Sequence, residues 1–454
     1  MREENKKFYK NLWAIVLPMA IQNLLTSLVS ASDTLMLGLL NQESLSAISL
    51  ASQVNFVEQI IVFGLVAGTS VLAAQYWGKK DALSVEKVLG ITLRYALIGT
   101  TALCLFTLFA PGLVMRFFTN DQQLIDLGIP YLRIVSVSFI FTGISQTYLT
   151  IMKTTDRVKL SSLFGSTTVV LNIILNALFI FGLLGLPKMG IAGAALATTI
   201  SRGVELILAL IENRKKNVVR IRVRHIYNQY AVLHKDFWHY TTPLLANMVA
   251  WGGAMTVYSA IIGHLGSDAV AAHSIGNIVK NIMDFLGGGV GIGASIILGN
   301  TMGRGELERA KKDGAKFVKI SLVVGTLAGL VILAGTPLIV KAAYTLTDQA
   351  KYYLKYMLFM CSYYMIGRTL NTMLINGIFT AGGDTRFGFW CDLINLWVVI
   401  IPAALLAAFV FHAPVLLVYF ILYLDEFTKI PVEFMHYKKY KWVKNITRDS
   451  SELA

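Results

Sequence analysis

Residues 320–340 read ISLVVGTLAGLVILAGTPLIV, twenty-one positions without one charged side chain. At about 1.5 Å per residue a helix of this run covers a hydrocarbon core roughly 30 Å thick. The run is too long for a strand and does not alternate, and a segment inside lipid must satisfy its own backbone, which leaves a helix. Similar runs recur along all 454 residues, of which 55% are hydrophobic and only 15% charged. A soluble domain carries roughly 25% charged residues, so this chain lacks the charge to coat a large soluble globule.

Twelve spans are expected, at 11–40, 46–77, 90–115, 132–152, 161–183 and 190–211, then 238–263, 271–302, 315–340, 352–381, 387–410 and 413–436. Met1 to Lys10 is polar and basic, and the run behind it is too long for a signal peptide, so it is expected to stay as the first span. Cys104, Cys361 and Cys391 lie in apolar segments and imply no disulfide framework.

The net charge of +14 has two readings, a nucleic-acid partner or a topological bias. Placing the charges decides between them. With the N-terminus inside, 30 of the 40 Lys and Arg fall on inner segments and six on outer loops; Arg94, Arg202, Lys280 and Arg368 fall inside spans. This bias orients the chain with both termini cytoplasmic in a plasma membrane. The basic loop from Glu212 to Phe237 reads as a linker touching anionic headgroups, with membrane lipid rather than nucleic acid as partner.

Slid on itself by 225 residues, the sequence matches Trp13 with Trp238, Pro18 with Pro243 and Gln22 with Asn247. Gly64, Gly68 and Gly78 meet Gly289, Gly293 and Gly303, and with three more residues Asp156 meets Asp384. The expected fold class is therefore all-α and polytopic, with twelve transmembrane helices in two parallel six-helix repeats. The expected domains are a lobe at 1–211, a linker at 212–237, a lobe at 238–436 and a basic tail at 437–454. Two such bundles around a pathway are a transporter signature. Pro18, Pro243 and Pro402 kink their helices, either as static bends or as hinges. The run Gly287 to Gly293 allows close helix approach or easy deformation.

An ionisable group at membrane depth is a functional candidate. Asp33 lies about 10 Å inside the outer end of span 1. Its carboxyl could take a proton outside and lose it inside, or serve as a structural cap. Asn172 and Asn176, spaced i, i+4, share a face and could donate to Asp33 or coordinate a cation. With Gln22 they form the candidate cation-coupling group. Glu58, Lys280, Asp284, Arg368 and Asn371 are candidates to line a substrate cavity. The Lys280–Asp284 spacing suits an intrahelical ion pair, and Arg368 needs a partner such as Asp284 or Glu58. Asp392, Glu205, Asp425 and Glu426 are read as structural groups near helix ends, paired with Arg386, Arg202 or Lys429.

There is no Walker-type phosphate loop, no His-Glu-x-x-His and no metal-ligand or paired-carboxylate spacing. No cofactor, no metal and no enzymatic activity are expected; transport would draw on an ion gradient.

Several stretches resemble the multidrug and toxic compound extrusion (MATE) family over essentially the whole chain, in its DinF-like bacterial branch. They are Asp33-Thr34-Leu35-Met36-Leu37-Gly38, Gln75-Tyr76-Trp77-Gly78-Lys79-Lys80-Asp81, Leu171-Asn172-Ile173, Ala381-Gly382-Gly383-Asp384-Thr385 and Lys441-Trp442-Val443-Lys444-Asn445. The resemblance implies a monomeric inner-membrane antiporter that expels organic cations or other amphipathic small molecules against H⁺ or Na⁺. It assigns cation coupling to Asp33 with Asn172 beside it. The family often has Asp where this chain has Asn176, and some members use a Glu where this chain has Trp251 and Gly252. Both departures put the weight on Asp33, and the missing acid at Asn176 favours H⁺. The alternatives are a flippase of lipid-linked precursors, which would call for two more helices, and a membrane enzyme using Glu58, Asp284 or Asp392.

Overall fold

The computed structural model describes residues 2–38, 42–344 and 346–449; the side chains of residues 29–35 and of a few others near residues 2–7 and 37–42 lie outside that set. The described chain is helical, as its apolar runs dictate. The first half supplies α1 (Arg2–Gly38), α2 (Gln42–Gly78), α3 (Ala82–Phe109), α4 (Gln122–Thr154), α5 (Val158–Phe181) and α6 (Ile191–Asn213). The second supplies α7 (Ala231–His264), α8 (Ser267–Gly303), α9 (Leu307–Ala342), α10 (Asp348–Asn371), α11 (Thr385–Val410) and α12, which begins at Val415–Leu422.

Ten of these are long and apolar enough to cross a membrane. The other two are α10 and α12. Helix α10 carries Lys351, Lys355 and Arg368 and runs on as a π-helix over Thr372–Phe379. Helix α12 breaks at Tyr423 and resumes as Asp425–Thr428 and Ile430–Lys438. In α11, Pro402 stands between two π-helical turns, Asn395–Ile400 and Leu406–Val410.

The chain packs as two compact units. One, the C unit, holds Thr242–Thr447 together with the chain up to Ala20; the other, the N unit, holds Ile21–Thr241 together with the tail from Arg448. The breaks fall beside Pro18 in α1 and Pro243 in α7, where a proline removes a backbone hydrogen bond and lets a helix change direction.

Each unit has its own apolar core. In the N unit, Ala47, Ala51, Leu132, Phe139, Ile180 and Ala195 pack α2, α4, α5 and α6 together. In the C unit one cluster joins Ile261, Met357, Cys361 and Tyr419, and a second sets Phe8, Leu12 and Val16 against Val290, Phe317 and Phe379. Helix α9 lies close along α10 because Gly325 and Gly329 face its backbone: a Cβ at Gly329 would stand 2.1 Å from the carbonyl oxygen of Ser362. Outward-facing side chains such as Phe109, Leu113, Leu338 and Val398 stay exposed, as a lipid-facing surface requires.

The sequence motifs at the helix ends are structural. Trp77 donates from Nε1 to Asp156 at 2.8 Å in the N unit. His436 contacts Asp384 at 2.5 Å and stacks on Phe387 in the C unit. Trp442 is fully buried, stacked on Tyr437 and seated on Gly382, where a Cβ would meet its carbonyl oxygen at 1.7 Å. The tail continues into the N unit: Arg448 forks onto Asp236, and Lys79 pairs with Asp449 at 2.8 Å. The linker helix Val223–Tyr227 lies on α3, with His225 against Gly90 and Arg222 paired with Glu86 at 2.6 Å.

Candidate functional site

Each unit encloses a cavity among its own helices. The N-unit cavity, about 460 Å³, is lined by Glu58, Tyr131, Thr142, Asn172, Asn176 and Arg202 among others. Asn176 donates to Asn172 at 3.2 Å, and Asn172 donates to Thr198 at 3.3 Å. The i, i+4 spacing on α5 therefore does bring both amides to one face, at the wall of the cavity. Tyr131 accepts from Asn55 at 2.9 Å. Beside the cavity Glu205 on α6 is 1% exposed and gathers Ser145 at 2.6 Å, Gln146 at 2.8 Å and Arg202 at 3.1 Å. Glu58 on α2 is also buried, faced by Thr142, Arg202 and Glu205. Its Oε1 finds no hydrogen-bond partner among the described residues. A buried carboxyl in that position needs a proton or a cation.

The C-unit cavity, about 300 Å³, is lined by Trp251, Tyr258, Lys280, Asp284, Arg368 and Asp425 among others. A chain of ion pairs runs from it into the unit. Asp284 meets Arg368 at 3.4 Å, and Arg368 meets Glu426 at 3.2 Å. Glu426 meets Lys429 at 3.0 Å, and Lys429 meets Asp392 at 2.8 Å. Asn371 and Tyr364 donate to Glu426 at 2.7 and 3.3 Å, and Asn247 donates to Asp392 at 3.0 Å. Each buried charge is thereby offset by an opposite one and by hydrogen bonds, the condition under which buried ions are tolerated.

The expected pairing of Lys280 with Asp284 is not what forms. The planar fork of Arg368 reaches Asp284 and Glu426 together, whereas Lys280 points its ammonium over the rings of Tyr364 and Tyr423, at 5.6 and 5.3 Å. Arg368 does find Asp284, and not Glu58. Asn371 joins the network through Glu426 rather than through Arg368. Asp33 stands on α1, and its side chain lies outside the described residues. Gln22 lies outside the cavity lining and packs on Gly165, where a Cβ would meet its Nε2 at 2.0 Å. Pro18, Pro243 and Pro402 sit within helical stretches away from both linings.

Asp425 and Glu426, read from sequence as helix-end groups, belong to this interior: Asp425 lines the cavity, and Glu426 lies at the centre of the ion-pair chain. The break of α12 at Tyr423 sets this acidic pair beside the cavity, a position that the apolar run alone does not mark.

The MatE family model matches residues 18–178 and 243–423, one copy in each half of the chain. Among curated relatives, the Probable multidrug resistance protein YoeA of Bacillus subtilis is 23% identical over 89% of this chain and 88% of its own. The Probable multidrug resistance protein NorM of Thermotoga maritima is 21% identical over 99% and 96%. Among solved structures, an outward-facing multidrug resistance MATE family transporter of the MOP superfamily superposes with a TM-score of 0.87 at 19% identity, covering 96% of each chain. A MOP superfamily transporter from Pyrococcus furiosus, described as having a binding pocket of reverse polarity, gives 0.85 at 18% identity over the same shares.

Proposed function

The chain belongs to the MatE family, and from that premise we propose that it is an exporter of organic cations or other amphipathic small molecules. Its energy comes from inward movement of H⁺ or Na⁺. The reading is carried by one observation: each of two six-helix sets encloses a cavity whose wall holds charged side chains, most of them on helices apolar enough to span a bilayer. Such a cavity suits a guest that is part apolar and part charged. The chain is a multi-pass membrane protein, and its basic loops favour cytoplasmic termini. Coupling is assigned to the N unit, with Asp33 as the group that takes up the ion and Asn172 and Asn176 as its neighbours. Proton coupling is favoured, since Asn176 adds no second charge to hold Na⁺.

The test is transport by purified protein in proteoliposomes. A fluorescent organic cation should move under an imposed pH gradient, and a matched Na⁺ gradient should drive it less. Asp33→Asn should lose at least tenfold of gradient-driven transport. Undiminished transport by that variant would remove Asp33 from the coupling step.

A further inference from the structure

The ion-pair chain of the C unit leaves out one cation. Lys280 reaches inward from α8 into the cavity, yet among the described residues no carboxylate pairs with its ammonium. Asp284, one turn further along the same helix, is committed to Arg368. What Lys280 meets instead is a pair of ring faces. Tyr364 comes from α10 and Tyr423 from α12, both within reach of a cation–π contact.

The rest of the lining completes a pattern. Asp425 carries a buried Oδ1 without a hydrogen-bond partner, and so do the hydroxyls of Tyr258 and Tyr423. Among the described residues Asp425 makes no ion pair either; Asn395 and Thr428 bond its backbone oxygen, not its carboxyl. Two aromatic faces, an unpaired carboxylate and two phenol oxygens around one small cavity form a donor set that recognises a cation. The other charged or titratable groups facing Lys280 are Asp284 and His273 on its own helix and Cys361 and Arg368 on α10. Lys429 and Arg368 also face Asp425, but each is already doubly paired, so among the described residues Lys280 is the cation left to neutralise Asp425.

We propose that Lys280 is the second cavity's own cation: its tethered ammonium fills a cation site built from Tyr364, Tyr423 and Asp425. The C unit then takes no cation from solution, and the N unit, where Oε1 of Glu58 has no hydrogen-bond partner among the described residues, is the one that does. The statement about coupling rests on the gradient-driven transport argued above, whereas the statement about the site does not.

Lys280→Met keeps an unbranched side chain one atom shorter and removes the charge. Isothermal titration of the detergent-purified full chain with methylammonium chloride, at constant ionic strength, counts the cations bound. Lys280→Met should bind one equivalent more than wild type, with Lys280→Gln as the substitute if the first variant does not purify as a single species. Adding Asp425→Asn should abolish the extra equivalent, and Lys280→Arg should match wild type. An unchanged count in a monodisperse Lys280→Met or Lys280→Gln protein overturns the proposal, as does an extra equivalent that survives Asp425→Asn. In proteoliposomes, ions moved per substrate should rise by one in Lys280→Met. A wild-type protein that answers to no gradient strikes the transport reading and leaves the binding count standing.

Discussion

The two cavities are built on one plan and finished with opposite charges. Gln146 in the N unit and Asn371 in the C unit are 225 residues apart, and each donates an amide to a buried glutamate on the last helix of its set, Glu205 and Glu426. The scaffold of the repeat is kept. Around it, among the described residues, the N unit leaves Oε1 of a buried carboxyl, Glu58, without a hydrogen-bond partner, whereas the C unit leaves an ammonium, Lys280, without an ion pair. A duplicated fold can thus hold two sites of different appetite, because fold depends on helix packing and ion preference depends on one or two side chains.

The most severe way to break this comparison is to remove the shared glutamates. Glu426 pairs with both Arg368 and Lys429, while Glu205 pairs with the partly exposed Arg202 and faces Lys153. Glu426→Ala should therefore cost about 3–5 kcal/mol by leaving two buried cations with one carboxylate each, Asp284 and Asp392, and Glu205→Ala about 1–3 kcal/mol. Unfolding in a denaturing detergent series measures both, and an equal loss would erase the asymmetry.

Next in size is the unpaired carboxyl. Glu58→Gln should lower gradient-driven transport about tenfold, equivalent to about 1.4 kcal/mol, with little change in melting temperature because no ion pair is broken. A large fall in melting temperature with transport intact would make Glu58 a packing group. Gly329→Val probes the scaffold alone. Its Cβ would press on the α10 backbone, at about 1–3 kcal/mol, and a melting curve like that of wild type would show that α9 and α10 can part.

The smallest effect lies outside the spans. Burial first, then the neighbouring Arg224, push the His225 imidazole below its usual pKa. Its contribution to stability is complete above the ordinary histidine range. As pH falls through that range toward the folded value, the unfolded state binds the proton first and the contribution is lost. The melting temperature of wild type should drop between about pH 7 and pH 5 more than that of His225→Gln.

The spans were legible because twenty apolar residues in a row admit one structure in lipid. The asparagine face of α5 was legible because 3.6-residue periodicity fixes it. The partners of long side chains were less so. Spacing on one helix favoured Lys280 for Asp284, but spacing cannot weigh a competitor on another helix, and Arg368 wins by holding two carboxylates at once. The pairing of Glu426 with Lys429 was legible, but the place of Asp425 and Glu426 beside a cavity was not, for a related reason. An apolar run gives no sign of where its helix will break, so the depth of a residue beside the break cannot be counted along the chain.

The composition of the two units bears on how the chain matures. The opening half of α1 is made well before the helices it packs on, among them α8 and α9. The N unit in turn lacks the Arg448 contacts on Asp236 until residue 448 has been made. Neither unit can finish far ahead of the other during synthesis. The membrane must hold two incomplete bundles until then, and a substitution of the segment around Arg448 would withhold a piece of a unit that begins more than two hundred residues earlier.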